Sequence, residues 1–159
     1  MSTSNKNLSD FDKAKLPDVA LRNFAIIVSE WNSEITEALY AGCYQTLIEA
    51  GTKAENIKRI NVPGSFELTS GARLVADDHN IDAVICLGCV IQGETRHFDF
   101  ICHAVANGLT QLCINYHKPF VFGLLTPNNV QQAQDRAGGK HGNKGVEAAI
   151  TAIKMIALF

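Results

Sequence analysis

No stretch of this 159-residue chain holds the ~20 consecutive apolar residues that a membrane helix needs. Its N-terminus has no apolar core of the kind a secretory signal carries. The expectation is a cytoplasmic protein with no membrane partner. Charge of one sign is missing too: Lys and Arg number 14 against 16 Asp and Glu, a net charge of −2. Such a chain has no field to collect nucleic acid. No G-x-G-x-x-G follows the first apolar strand, which argues against an ordinary dinucleotide-binding oxidoreductase. There is no internal repeat and no low-complexity tract. Cysteines are few, and their number, five, is odd. Cys43, Cys86, Cys102 and Cys113 fall at apolar positions and Cys89 at a strand end, so all five read as buried reduced thiols. Cys86-Leu-Gly-Cys89 matches C-x-x-C, but it lies within a strand, where an odd separation turns the two side chains to opposite faces. No second C-x-x-C completes a zinc site.

What is present is a core and a rhythm. The apolar fraction is 47% and the charged fraction 19%, which fits one globular domain. Residues 1–21 are polar and without periodicity and read as an N-terminal arm; residues 22–159 read as the domain. Phe24–Ser29, Ile57–Val62, Ala83–Ile91 and Phe120–Leu125 are short apolar runs of strand type. Between them lie helical patterns. Asn32 is the expected cap of the first helix, with Ile35, Ala38, Leu39, Gly42, Cys43, Leu47 and Ala50 on its inner face and Gly51 as the stop. Ser65 is the expected cap of a second helix running to about Asp78. A third helix begins near Phe98, with Ile101, Ala104, Val105, Gly108, Leu109 and Leu112 inward. Thr126-Pro127 reads as a cap and first turn. A short helix breaks at Gly138-Gly139, and Asn143 caps the last. Strand–helix repeated four times, with right-handed crossovers, predicts an α/β three-layer sandwich: a four-stranded parallel sheet flanked by helices.

Parallel topology brings the four strand ends to one edge, where ligands of open α/β sheets bind. That edge receives the sole tryptophan, Trp31, then Pro63-Gly64-Ser65-Phe66-Glu67, Cys89–His97 and Phe122–Asn128. Trp31 reads either as a plug over the core or as a platform for a flat heterocycle. Glu67 reads either as a complement to a helix dipole or as an acceptor for a polyol. A helix start at Glu94-Thr95 offers unpaired N–H groups to an anion, and His97 beside it is a proton-transfer candidate. Asp99 and His103 share a helix face, but His97 is rotated from it, so no metal site is expected. Arg136, Lys140, His141 and Lys144 form a basic, glycine-rich patch, either solvated or a phosphate clamp. The spacing does not bring Arg136 near His97 within one subunit.

Taken in order, Val62-Pro-Gly-Ser-Phe-Glu67, Gly88-Cys-Val-Ile-Gln-Gly-Glu-Thr-Arg-His97-Phe-Asp-Phe100, Phe122-Gly-Leu-Leu-Thr126 and Arg136-Ala-Gly-Gly-Lys-His-Gly-Asn-Lys-Gly145 resemble the signature blocks of the 6,7-dimethyl-8-ribityllumazine synthases, over about Asn23 to Leu158. The resemblance implies a flavodoxin-like sheet, no cofactor and no metal. It also implies the penultimate step of riboflavin biosynthesis: condensation of 5-amino-6-(D-ribitylamino)uracil with 3,4-dihydroxy-2-butanone 4-phosphate. Carried over, it makes Trp31 (where relatives commonly have phenylalanine) the stacking partner of the pyrimidinedione. Ser65, Phe66 and Glu67 would hold the ribityl chain and ring edge, and Cys89, Val90 and Ile91 the ring. Glu94 and Thr95 would bind the butanone phosphate through helix-start amides, and His97 would move protons. From an adjacent subunit Phe122 would close the ring pocket and Arg136 grip the phosphate. Lys144 matches a lysine near the site. Gln92 stands where many members carry arginine. The resemblance further implies homopentamers, and the short Gly138–Gly142 linker resembles members whose twelve pentamers form a hollow sixty-subunit shell. Two other readings compete: a non-catalytic lumazine- or flavin-binding cage, and an FMN-holding electron carrier.

Overall fold

The computed structural model describes Ser9, Asp12 and residues 15–159. Four apolar runs form the sheet: β1 (Phe24–Ser29), β2 (Ile57–Val62), β3 (Ala83–Cys89) and β4 (Phe120–Leu125). The order is β2-β1-β3-β4 and every pairing is parallel, with Phe24 opposite both Ile57 and Ala83, and Val84 opposite Phe120. β1 and β3 are buried along their whole length, as the central strands of a doubly covered sheet must be.

Alternate side chains sort onto two faces. Phe24, Ile26, Val28, Ile85 and Leu87 meet α1 (Ser33–Glu49) and α5 (Lys144–Ile156). Ala25, Ile27, Val84 and Cys86 meet α2 (Leu68–Leu74) and α3 (His97–Asn115). The three layers expected from the sequence are therefore present. Cys86 belongs to one face and Cys89 to the other, so the C-x-x-C pair is split by the sheet. On the first face the outer helices approach closely. A Cβ on Gly145 would lie 1.8 Å from the Leu39 carbonyl oxygen, so only glycine lets α5 start against α1.

Several local expectations are corrected. β3 ends at Cys89 rather than Ile91, although Val90 and Gln92 still donate to the carbonyls of Leu125 and Pro127. α2 starts at Leu68 and stops at Leu74, short of Asp78. Beyond it the amides of Val75, Ala76 and Asp78 bond three residues back, which tightens the chain into turns. Neither Ser65 nor Asn32 caps a helix through its side chain. Asn129, not Thr126, caps the short α4 (Val130–Asp135), accepting from the Gln132 amide at 2.9 Å. Asn143 caps α5 as expected, accepting from Gly145 and Val146. α3 buries only Val105, Leu109 and Leu112 fully, because a helix on one layer meets the sheet along a single stripe. Cys113 is exposed and Cys102 half-buried, unlike the other three thiols.

Between α4 and α5 the glycines fold into a two-stranded antiparallel hairpin, β5 (Ala137–Gly139) and β6 (Gly142–Asn143). Part of the expected arm, residues 1–21, lies outside the described residues. At its described end Val19 is fully buried in the α1–α5 core, and the Ser9 hydroxyl is 2.5 Å from the Asn143 amide. Among the described residues no helix is long and apolar enough to cross a membrane.

Candidate active site

The strand order reverses direction at β1, since the chain moves to β2 on one side and then crosses to β3 on the other. At such a switch point the loops part and leave a crevice beyond the strand ends. Here the crevice is a cleft of 520 Å³ lined by Trp31, Asn32, Gly64, Ser65, Phe66, Glu67, Cys89, Val90, Ile91, His97 and Ile101. That volume suits a ligand of one or two small rings.

Each wall follows from its strand. Beyond β1, Glu30 and Trp31 donate to the carbonyls of Val62 and Pro63, at 2.8 and 3.2 Å, which extends the parallel ladder into the loops. The indole at the end of that ladder is 73% exposed. Beyond β2, turn bonds from Glu67 to Gly64 and from Leu68 to Ser65 fold the Pro63–Glu67 segment under the cleft. Phe66 points a second aromatic surface outward, 55% exposed, while Ser65 is buried and its hydroxyl donates to the Cys89 carbonyl at 3.5 Å. Gly88 has no side chain for a packing reason: a Cβ there would sit 2.8 Å from both Ser65 Oγ and Leu68 Cδ1. Burial pushes the Cys89 thiol up to about 11, so it is neutral at physiological pH. Its backbone, not its sulfur, is what the cleft can use. His97 opens α3, and its amide donates to the Thr95 hydroxyl at 3.4 Å. The imidazole is exposed on the cleft rim.

Of the sequence-expected residues, Trp31, Ser65, Phe66, Glu67, Cys89, Val90, Ile91 and His97 therefore meet in one cleft. Glu94 and Thr95 stand exposed on the loop just before His97 and are not among the cleft-lining residues. Phe122, Arg136 and Lys144 lie elsewhere. Phe122 is 39% exposed on the edge strand β4, beside Phe120 and Leu109. Arg136 and Lys144 both contact the Glu147 carboxylate, at 2.6 and 3.3 Å, and Arg136 also donates to the His141 carbonyl at 2.9 Å. Two cleft residues escaped the sequence reading of the site. Asn32 was read as a helix cap and Ile101 as core, and no pattern in one dimension marks either as lining a pocket. Among the described residues no cluster of His, Cys, Asp or Glu is set to hold a metal ion.

Fold and cleft together define a doubly wound α/β protein with a small-molecule-sized cleft at its switch point and an exposed histidine on the rim. The family model for 6,7-dimethyl-8-ribityllumazine synthase matches residues 22–159, and the chain belongs to that family. A relative from Cytophaga hutchinsonii, named 6,7-dimethyl-8-ribityllumazine synthase, is 57% identical over 157 residues, covering 99% of this chain and 98% of the relative. A relative of the same name from Parabacteroides distasonis is 53% identical, covering 98% of each. One from Flavobacterium johnsoniae is 54% identical, covering 98% of this chain and 82% of its own.

Proposed function

We propose that this protein condenses 5-amino-6-(D-ribitylamino)uracil with 3,4-dihydroxy-2-butanone 4-phosphate to give 6,7-dimethyl-8-ribityllumazine, phosphate and water, the penultimate step of riboflavin biosynthesis. The observation that carries this reading is the full-length family match, supported by a cleft that eight of the sequence-expected residues, Trp31, Ser65, Phe66, Glu67, Cys89, Val90, Ile91 and His97, line together.

The pyrimidinedione stacks on Trp31, and the backbone of Cys89–Ile91 reads its polar edge. Ser65, Phe66 and Glu67 hold the ribityl chain, with the Glu67 carboxylate accepting from its hydroxyls. The butanone phosphate lies at Glu94-Thr95, where the free amides at the start of α3 favour an anion. The ring amine attacks the ketone to form a carbinolamine, which loses water to give an imine. Phosphate then leaves, the second amine closes the ring and water is lost again. Every step moves a proton. His97 is the imidazole on the rim that moves these protons, an effect worth about 10²–10⁴-fold. Holding the two reactants together supplies much of the rest.

Phe122 and Arg136 stand outside this chain's own cleft, so in this reading they serve the cleft of an adjacent subunit. There Phe122 closes the ring pocket and Arg136 meets the departing phosphate, with Lys144 beside it. The assembly is a homopentamer, and the short Gly138–Gly142 hairpin favours a sixty-subunit shell. Its location is the cytoplasm. Mixing the two substrates with the protein tests the reaction: lumazine fluorescence should appear with stoichiometric release of phosphate. Fluorescence that arises only when preformed lumazine is added would instead mark a non-catalytic binder.

A further inference from the structure

Asn32 is the one residue other than glycine, among those described, that holds a left-handed backbone, with φ 60 and ψ 47. L side chains crowd the following carbonyl in that region, and asparagine is among the few that tolerate it. Strain of this kind persists where the surroundings enforce it, often at functional sites. Asn32 also declines the role its position offers. It precedes α1, yet its side chain makes no capping bond. Instead its Nδ2 donates across the cleft to the Cys89 carbonyl at 2.9 Å.

That carbonyl is shared. It also accepts from the Ser65 hydroxyl, at 3.5 Å. Asn32 follows β1, Ser65 follows β2 and Cys89 ends β3, so three loops are gathered on one oxygen at the switch point. Trp31, the preceding residue, is pinned on its other side by the bond to Pro63. Immediately after Asn32 the helix begins, with Ile35 and Thr36 donating to its carbonyl at 2.9 and 3.1 Å. The indole plane therefore depends on two things at residue 32: the left-handed turn and the amide tie.

We propose that Asn32 is a positioning residue that sets the distance between Trp31 and the Cys89–Ile91 wall, and through it the fit of the pyrimidine ring. This rests on the reading of the cleft as the pyrimidine site. The ring slot is built before ligand arrives, because both sides are tied to the same carbonyl. The phosphate-bearing substrate, bound nearer α3, does not sense the tie.

Three variants separate the turn from the tie. Asn32→Gly keeps the left-handed backbone without strain and removes the amide. Asn32→Asp keeps a side chain that tolerates the turn but sets an acceptor against the Cys89 carbonyl. Trp31→Ala tests the platform itself. Trp31 is the sole tryptophan, so quenching of its fluorescence by 5-amino-6-(D-ribitylamino)uracil reads binding directly in the two Asn32 variants. Steady-state kinetics read all three. Asn32→Gly is expected to weaken pyrimidine binding about tenfold, the worth of one hydrogen bond, and Asn32→Asp to weaken it further. KM for the butanone phosphate should stay within about twofold, and the thermal midpoint of the glycine variant should hold. Wild-type pyrimidine affinity in Asn32→Gly, or equal weakening toward both substrates, would overturn the proposal. If Trp31→Ala raises the pyrimidine KM while Asn32→Gly does not, only the role of Asn32 falls. If Trp31→Ala leaves that KM unchanged, the placement of the ring is what fails, and the proposal with it.

Discussion

At the scale of single residues the chemistry divides between groups held still and groups left open. His97 is exposed at the start of a helix, and its replacement by glutamine should lower kcat by about 10²-fold or more while both KM values change little. Loss of binding without loss of kcat would contradict a proton-transfer role. Arg136 is already engaged by Glu147 and the His141 carbonyl, which aims its remaining N–H donors rather than leaving a free arm. Arg136→Ala should raise KM for the butanone phosphate well above any change for the pyrimidine, and equal changes would count against it. The thiols make a separate case. Burial raises Cys43, Cys86 and Cys89, the last to about 11, and only the thiolate reacts. Alkylation of the native protein at pH 8, followed by mass spectrometry, should leave all three unmodified until the chain unfolds. Apolar context marked the buried Cys43 and Cys86 correctly, but it also marked Cys102 and Cys113, which are half-buried and exposed. The sequence was a poor guide to Asn32, since a capping asparagine and a cross-cleft donor look alike in one dimension.

At the scale of elements, glycine and surface charge act in opposite ways. Gly145 sits where a Cβ would collide with backbone, 1.8 Å from the Leu39 oxygen. Backbone cannot rotate aside as a side chain can, so Gly145→Ala should destabilise the fold by at least about 2 kcal/mol and lower the thermal midpoint accordingly. The Glu37–Arg59 pair bridges α1 and the edge strand β2. Hydrogen bonding from Arg59 holds the Glu37 carboxyl below the usual carboxylate value, against a smaller effect of burial. A carboxyl held low in the folded state lends stability that is present above its unfolded pKa, about 4.3, and lost as pH falls through the folded value. The pair is partly exposed, so the gain is under about 1 kcal/mol. Arg59→Gln should remove it at pH 7 and narrow the gap to wild type in melts below pH 4. Strands were legible in the sequence because an apolar run bounded by turn residues has few other solutions. Helix ends were less so. Ser65 and Thr126 are good caps by type, yet the turn bonds around Gly64 and the Asn129 side chain supplied the local solutions instead.

At the scale of the whole molecule, the cleft is built from three loops of one chain, while Phe122, Arg136 and Lys144 of the proposed machinery lie outside it. In the proposed reading, copies must meet to complete the site. Sedimentation should therefore show no active monomer, and in this reading should show a particle of sixty subunits. Free pentamers alone would reject the shell, and active monomers would reject the shared site. The sequence by itself determined the four strands, the parallel sheet and the family's signature loops, because each depends on local pattern: period, punctuation and motif order. Only the tertiary structure decided that Asn32 reaches Cys89, that the short α2 ends in tight turns, and that the glycines after α4 pair as a hairpin. Those outcomes depend on distances between segments far apart in the chain, which no local pattern encodes.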